Sequence, residues 1–363
     1  MKIDSITLEN FRNVEKASIE FTDGVNLLYG KNAQGKTNAL EAIYYLAGLK
    51  SFRCPKYREM ISYDAPEAKI EGVISQNGRQ VVLSALLPKN GKRNVLKNGV
   101  KLQKLSEYMG IFRAVLFCPE HLELIKGGPA ERRSFIDGAI CQLKPAYASL
   151  LNEFNRIYGQ RQALFRSMKD KSISEELLEI WDESYASLSI KISKTRKTYV
   201  ENISGLASEF YRGITKDHEE LSLSYKCDVD PFSEKAKEEF LKLLKQNREL
   251  EKRNLFCPKG AHKDDLICKI NSKNSRFYAS QGQQRSCVLS LKLAEGEYSK
   301  KLSGQSPVFL LDDVLSELDS ERREYILSNV QSGQVIITSC DPDGFESVEN
   351  IRKILVKKGS YII

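Results

Sequence analysis

Apolar and polar positions alternate at the start of the chain. Ile3, Ile6 and Leu8, then Ile19 and Phe21, mark strands, and the apolar run Val25 to Tyr29 marks a buried strand that stops at Gly30. From Lys36 the period lengthens to three or four. Leu40, Ile43, Tyr44 and Ala47 share one face and Gly48 offers a stop, which predicts a helix. Between Ala68 and Leu102, short β-like runs such as Val81-Val82-Leu83 are separated by the turn pairs Asn77-Gly78, Asn90-Gly91 and Asn98-Gly99, the pattern of an antiparallel meander. After the apolar run Ala114 to Phe117, most segments from Pro129 to Asn254 read as helical. There Trp181, Tyr185, Leu188, Ile192, Thr195, Tyr199, Ile203, Leu206 and Phe210 form a narrow stripe at steps of three or four. Such a stripe suits an ordinary helix packed in a helical lobe, the favoured reading, or a short coiled coil between chains. Apolar runs at Val308 to Leu311 and Val335 to Thr338 flank a helical stretch, Ser320 to Val330. The two ends of the chain therefore predict one α/β domain with a mixed sheet and an antiparallel β subdomain, residues 1–128 and 256–363, around an inserted, mainly helical lobe, residues 129–255.

Length and composition narrow the class. With 363 residues and 41% hydrophobic content the chain can bury a large core. No run reaches the roughly 18 to 20 apolar residues of a membrane span, and Met1-Lys2-Ile3-Asp4 lacks a signal core, so a cytoplasmic protein without a membrane partner is expected. Eight cysteines are scattered singly, without CxxC or CxxH spacing, and read as reduced, mostly buried thiols. His121 and His218 have no recognisable partner and read as structural or surface residues. Lys and Arg outnumber Asp and Glu by 56 to 48, which favours a polyanionic partner.

Chemistry is concentrated in four segments. Gly30-Lys31-Asn32-Ala33-Gln34-Gly35-Lys36-Thr37 fits GxxxxGK[ST] between a predicted strand and a predicted helix, as a Walker A loop requires. Its glycines let N–H groups curl around the phosphates of ATP, Lys36 neutralises the β- and γ-phosphates, and the Thr37 hydroxyl coordinates Mg²⁺. Val308-Phe309-Leu310-Leu311-Asp312-Asp313 is a buried strand ending in two carboxylates, a Walker B segment. Asp312 is expected to hold Mg²⁺ through water; Asp313 is expected to orient or deprotonate the attacking water, with helix capping as its other reading. Ala279-Ser280-Gln281-Gly282-Gln283-Gln284-Arg285 precedes an apolar helical run and resembles the ABC signature; Ser280 serves either a γ-phosphate or a helix N-terminus. Ser316-Glu317-Leu318-Asp319 resembles the D-loop of the same class. Four motifs in this order identify an ABC/SMC-type P-loop ATPase head.

More than two hundred residues separate Thr37 from Ser280, a split layout similar to SMC heads. Leu8-Glu9-Asn10-Phe11-Arg12 is also similar to the SMC opening, which implies that Arg12 lies beside the nucleotide; otherwise it is a surface charge. Pro119-Glu120, Leu124-Ile125-Lys126-Gly127-Gly128-Pro129, Arg132-Arg133-Ser134-Phe135-Ile136-Asp137 and Gly260-Ala261-His262-Lys263-Asp264-Asp265-Leu266 resemble the RecF family, and the resemblance covers essentially the whole chain. It implies a weak, DNA-stimulated ATPase of DNA repair, replication restart and the SOS response. It also implies ATP-dependent homodimerisation on gapped duplex or single-strand/duplex junction DNA, where RecO and RecR are helped to load RecA. DNA contacts are expected from Lys and Arg of the lobe or of the head's dimer-facing surface, while Arg132 and Arg133 either join them or pair with carboxylates. The Q-loop role is left unassigned at Glu120, Thr338-Ser339 stands where transporters carry a switch histidine, and His262 belongs to another segment. The alternative reading is the nucleotide-binding subunit of an ABC transporter, which the long insertion disfavours. A head that regulates a nuclease would need an acidic cluster beyond Asp312 and Asp313.

Overall fold

A computed structural model describes residues 1–167 and 175–362, apart from 344, 346, 347 and 349. In chain order the strands are β1 (Lys2–Phe11), β2 (Val14–Glu20), β3 (Val25–Tyr29), β4 (Glu67–Gln76), β5 (Arg79–Pro88), β6 (Asn94–Lys97), β7 (Val100–Lys101), β8 (Ala114–Phe117), β9 (Leu221–Lys226), β10 (Asp265–Ile270), β11 (Lys273–Asn274), β12 (Val308–Asp312), β13 (Val335–Ser339), β14 (Arg352–Lys357) and β15 (Ser360–Ile362). The helices are α1 (Lys36–Gly48), α2 (Leu105–Tyr108), α3 (Glu123–Lys126), α4 (Pro129–Leu143), α5 (Pro145–Ser167), α6 (Glu175–Thr215), α7 (Ala236–Gln246), α8 (Arg248–Asn254), α9 (Ser275–Tyr278), α10 (Gln281–Ser303) and α11 (Ser320–Val330).

The nearly continuous apolar runs of β3, β8, β12 and β13 suit strands covered on both faces. They form the centre of a mixed sheet in the order β15-β14-β3-β13-β12-β8. Its first antiparallel pair is β14 with β15; the other pairings are parallel. Because parallel strands point their carboxyl ends the same way, the turns after Tyr29, Phe117, Asp312 and Ser339 gather at one edge. The meander is β4 to β7, as the turn pairs predict, and β1 and β2 extend it into a six-stranded antiparallel sheet, β2-β1-β4-β5-β6-β7. Helix α1 shares a core with both sheets, its Leu40, Ile43 and Leu46 packing with Ile3, Ile70, Leu83, Leu116 and Leu310.

The region 129–255 is mainly helical, but Leu221–Lys226 is a strand that the helical reading missed. Its partner β10 lies after residue 255 and supplies the main-chain bonds that a local period cannot reveal. The stripe on α6 packs inside the chain: Tyr185, Leu188, Ile192, Tyr199 and Ile203 are buried with Phe154, Phe240 and Leu291. Helix α10 is apolar on two faces. Leu289 and Leu293 enter the core of the mixed sheet, while Cys287, Leu291 and Ala294 enter the core of the lobe.

Charged groups also hold the lobe. Arg161 on α5, fully buried, donates to Asp182 of α6 at 2.8 Å and to both carboxylate oxygens of Glu251 of α8 at 2.8 Å. Arg248 also reaches both acids, so replacing Arg161 with Met removes one of the two cations that hold this buried pair, and Arg161→Met is expected to lower stability by about 3 kcal/mol, the low end for a broken buried pair. A shift of the urea unfolding midpoint measures it, and an unchanged midpoint would show that Arg248 alone satisfies the two acids.

Candidate nucleotide site

The Gly30–Thr37 loop joins β3 to α1, and it can fold this way because its tight positions are glycines. Gly30 has φ 145°, and a Cβ there would lie 2.4 Å from the Val356 carbonyl oxygen of β14. Gly35 is the N-cap of α1 and supplies no side-chain cap; the first turn of α1 contains no acid. The N–H groups and positive end of this helix are thus offered to an anion. Lys36 is 5% exposed and folds back over its own loop, donating to the carbonyls of Gly30 at 2.6 Å and Lys31 at 3.1 Å. The C-terminal hairpin braces the loop: Tyr361 donates to the Gly35 carbonyl at 2.9 Å, and the N–H of Lys358 and Gly359 donate to the side chain and carbonyl of Gln34. Cys340, after β13, donates its thiol to the Asn32 side chain at 2.8 Å, and Asn13 donates to the Ala33 carbonyl at 3.5 Å.

Thr37 donates to Asp312 Oδ1 at 2.9 Å, and Thr338 at the end of β13 donates to the same oxygen at 2.8 Å. Burial pushes the Asp312 pKa up, the two hydroxyls pull it back, and the negative charges of Asp313 and Glu120 add to the rise. The buried Asp312 carboxylate beside the Thr37 hydroxyl offers oxygen ligands that fit Mg²⁺, while the uncapped helix end next to them suits the phosphate that such an ion would accompany. Asp313 has φ 54°, in the left-handed region that Asp tolerates better than most residues, and its N–H donates to Thr338 Oγ1 at 3.0 Å. It caps no helix, since Asp319 is the N-cap of α11.

Ser280 and Gln283 form a reciprocal capping box at the start of α10, so the capping reading of Ser280 holds. They line a cleft of about 630 Å³ with Gly282, Asp319, Arg322 and the end of α6. Gly213 lets the α6 end approach α11, because a Cβ there would meet the Tyr325 hydroxyl at 2.0 Å. Gln281 is exposed at the helix start, and Gln283 also donates to Glu219. Ser316 donates to the Asp313 carbonyl at 2.7 Å, and Leu318 is buried beneath, so one short segment runs from the Walker B turn to this cleft. The Glu317 side chain lies outside the described residues. Among the described residues, no hydrogen bond or ion pair joins Ser280–Gln283 to Gly30–Thr37; within one protomer these are two separate places.

Arg12 is not a free surface charge. Its guanidinium pairs bidentately with the buried Glu41 of α1, at 2.6 and 2.9 Å, and with the Glu59 carbonyl at 2.7 Å. Glu41 also receives Arg53 at 3.5 Å. Arg132 pairs with Asp265 at 2.7 Å, while Arg133 donates to the Asp264 carbonyl rather than to a carboxylate. His262 lies in the lobe between Tyr185 and the Cys257 carbonyl, where burial lowers its pKa to about 4. All eight cysteines are free thiols. Asn13 and Tyr361 escape the sequence reading as site residues and carry no usable signal. Thr338 is marked there only as standing where transporters carry a switch histidine, without its bond to Asp312. Thr338→Val removes one of two bonds to the ionised Asp312 and is expected to raise the pKa of that carboxyl further, with Thr338→Ser restoring it. Carboxyl-carbon NMR titration measures this, and an unshifted Asp312 midpoint would contradict the bridging role.

Comparison with known proteins places the site in a family. The family model for the RecF/RecN/SMC N terminal domain matches residues 2–362. The DNA replication and repair protein RecF of Acetivibrio thermocellus is 37% identical over 353 residues, covering 96% of this chain and 95% of its own. A solved structure described as the recombination mediator protein RecF-ATPrS in the RecFOR pathway superposes with a TM-score of 0.92 at 35% identity, covering 99% and 97% of the two chains. The Smc head domain from Pyrococcus furiosus, bound to part of ScpA, shares the fold alone, with a TM-score of 0.55 at 18% identity and coverage of 99% and 95%. With a loop built for phosphates, a carboxylate set against it and relatives matched from end to end, the chain belongs to the RecF family of ABC/SMC-type ATPase heads.

Proposed function

We propose that the chain is an ATP-dependent DNA-binding protein of recombinational repair and replication restart, a cytosolic switch in which ATP drives two copies together. The observation that carries this reading is the convergence of Thr37 and Thr338 on Asp312 beside the uncapped N-terminus of α1. The loop N–H groups and the helix end bind the phosphates, and Lys36 leaves its loop carbonyls for the β- and γ-phosphates. Thr37 and Asp312 are the residues that would hold Mg²⁺, which when bound would supply positive charge against the phosphates. Asp313 orients the attacking water from the turn that Thr338 fixes. Arg12 acts through Glu41, setting α1 and with it the loop. The relatives named for DNA replication and repair support this reading over a transporter subunit. By the same likeness the chain works with RecO and RecR, at gapped duplex or single-strand/duplex junctions, toward the loading of RecA. ATPase activity measured with duplex, single-stranded and gapped DNA tests the whole reading: DNA stimulates turnover, and a rate indifferent to every DNA form would contradict it.

Lys36→Ala is expected to abolish productive ATP binding, whereas Asp313→Asn keeps binding and lowers turnover by about 10²–10⁴, the range of a lost general base. Nucleotide titration alongside steady-state hydrolysis separates the two defects; wild-type turnover in Asp313→Asn would remove this carboxylate from the mechanism.

The cleft holding Ser280 is half of a composite site completed by the loop of a second copy. ATP binds the closed pair better than the separate heads and so shifts the monomer–dimer balance by that difference in affinity. Ser280→Arg is expected to bind nucleotide yet neither dimerise nor hydrolyse it, because the new cation fills the place of the partner's phosphate. Mixed with Lys36→Ala, it regains partial activity through one intact composite site. Light scattering with a non-hydrolysable ATP analogue is the independent check, and a monomer mass at nucleotide saturation would exclude the sandwich.

A further inference from the structure

The chain's excess of positive charge has one address. Between α1 and α2, residues 49–104 contain twelve Lys and Arg against four Asp and Glu, an excess of eight. The whole chain carries 56 against 48, the same excess of eight, so the remainder is balanced at 44 against 44. This segment is the loop after α1 and the antiparallel meander, and it contains an open cleft of about 890 Å³. One wall carries Lys50, Lys56 and Arg58, and the turn from β5 to β6 brings Lys92 to the other. The walls are tied together by groups spent on structure: Arg93 donates to the Leu49 carbonyl at 2.7 Å and to Tyr45 at 3.0 Å, and Tyr57 donates to the Gly91 carbonyl at 2.9 Å.

Lys50, Lys56, Arg58 and Lys92 are exposed, and among the described residues none of them forms an ion pair. Several lysines of the lobe are instead compensated, Lys197 by Asp230, Lys237 by Glu183 and Lys245 by Glu179. Unpaired like charges held around one opening repel one another, a cost that a polyanion removes. A protein partner would call for an apolar centre, but no large hydrophobic side chain of this cleft is exposed. We infer that the cleft between the loop after α1 and the meander is the seat of a nucleic-acid phosphate backbone, and that the helical lobe is not. This rests on the DNA-binding reading above and gives it a location.

The test uses the full chain and a fluorescent duplex over a range of salt. Lys50→Glu, Lys56→Glu and Lys92→Glu are combined in one variant, and Lys144→Glu, Lys191→Glu and Lys242→Glu, exposed lysines of the helical region, in a second with the same change of charge. The cleft variant is expected to bind at least about tenfold more weakly and to lower the slope of log affinity against log salt by about 2 to 3, the loss of three phosphate contacts. The lobe variant stays within about threefold of wild type. Equal losses in both variants, or wild-type affinity in the cleft variant, overturn the location while leaving DNA binding standing. A wild type without duplex affinity at low salt overturns both readings. Polyglutamate bound by wild type and lost by the cleft variant, with duplex binding intact, makes the cleft an acidic-protein surface and overturns the inference. The neutral triple of Lys50→Gln, Lys56→Gln and Lys92→Gln, checked for intact nucleotide binding, carries the same expectation in reduced degree and guards against misfolding.

Discussion

The carboxylate oxygen of Asp312 that accepts from both Thr37 and Thr338 is the point on which the site depends. It joins the helix after the phosphate loop, the strand that carries the acids and the neighbouring strand. The helix lies 275 residues from the acid in sequence, and the neighbouring strand only 26. Left without those hydroxyls, a carboxylate buried this deeply would hold its proton more tightly, because nothing would offset the cost of burying its charge. The same Thr338 hydroxyl accepts the N–H of Asp313, so the unusual left-handed turn at that residue is held by the group that steadies its neighbour. Thr338 thus contacts both acids at once, bonding the side chain of Asp312 and the main chain of Asp313.

A second constraint is the double duty of α10. Its two apolar faces belong to different cores, so the helix whose capped end carries Ser280 is packed against both the mixed sheet and the lobe. The buried ion pairs reinforce the connection: Arg196 on α6 grips Asp137 of α4 at 2.8 Å and donates to the Ala261 carbonyl. Much of what distinguishes the family's sequence around Arg132, Asp137 and Asp264 is therefore spent on joining the lobe to the strand that follows it, as the Arg132–Asp265 pair also shows. These acids and bases satisfy each other and are not held in reserve for a ligand.

The distribution of charge separates structural from available cations. Arg12, Arg93, Arg132, Arg161 and Arg196 are consumed by carboxylates or carbonyls, whereas the lysines around the meander cleft are left to solvent. A net excess spread evenly would say little about a partner; an excess held in one segment, with Lys50, Lys56, Arg58 and Lys92 around one opening, focuses the field there.

Much of this protein could be read from its residues alone. The phosphate loop, the two acids and the meander turns are local patterns, because a glycine-rich turn, a short buried strand or an Asn-Gly pair requires only residues adjacent in sequence. The capping box at Ser280 and the end of α1 at Gly48 are local for the same reason. Only the tertiary structure could decide what depends on non-local pairing: β9 is a strand because β10 supplies its hydrogen bonds, and the α6 stripe is core because other segments of the same chain cover it. Thr338 becomes a site residue because β13 lies beside β12, and Arg12 becomes a brace because Glu41 is buried opposite it. A side chain's type and spacing determine what it can bond, but folding determines which partner is within about 3 Å, and at this site that partner often lies hundreds of residues away.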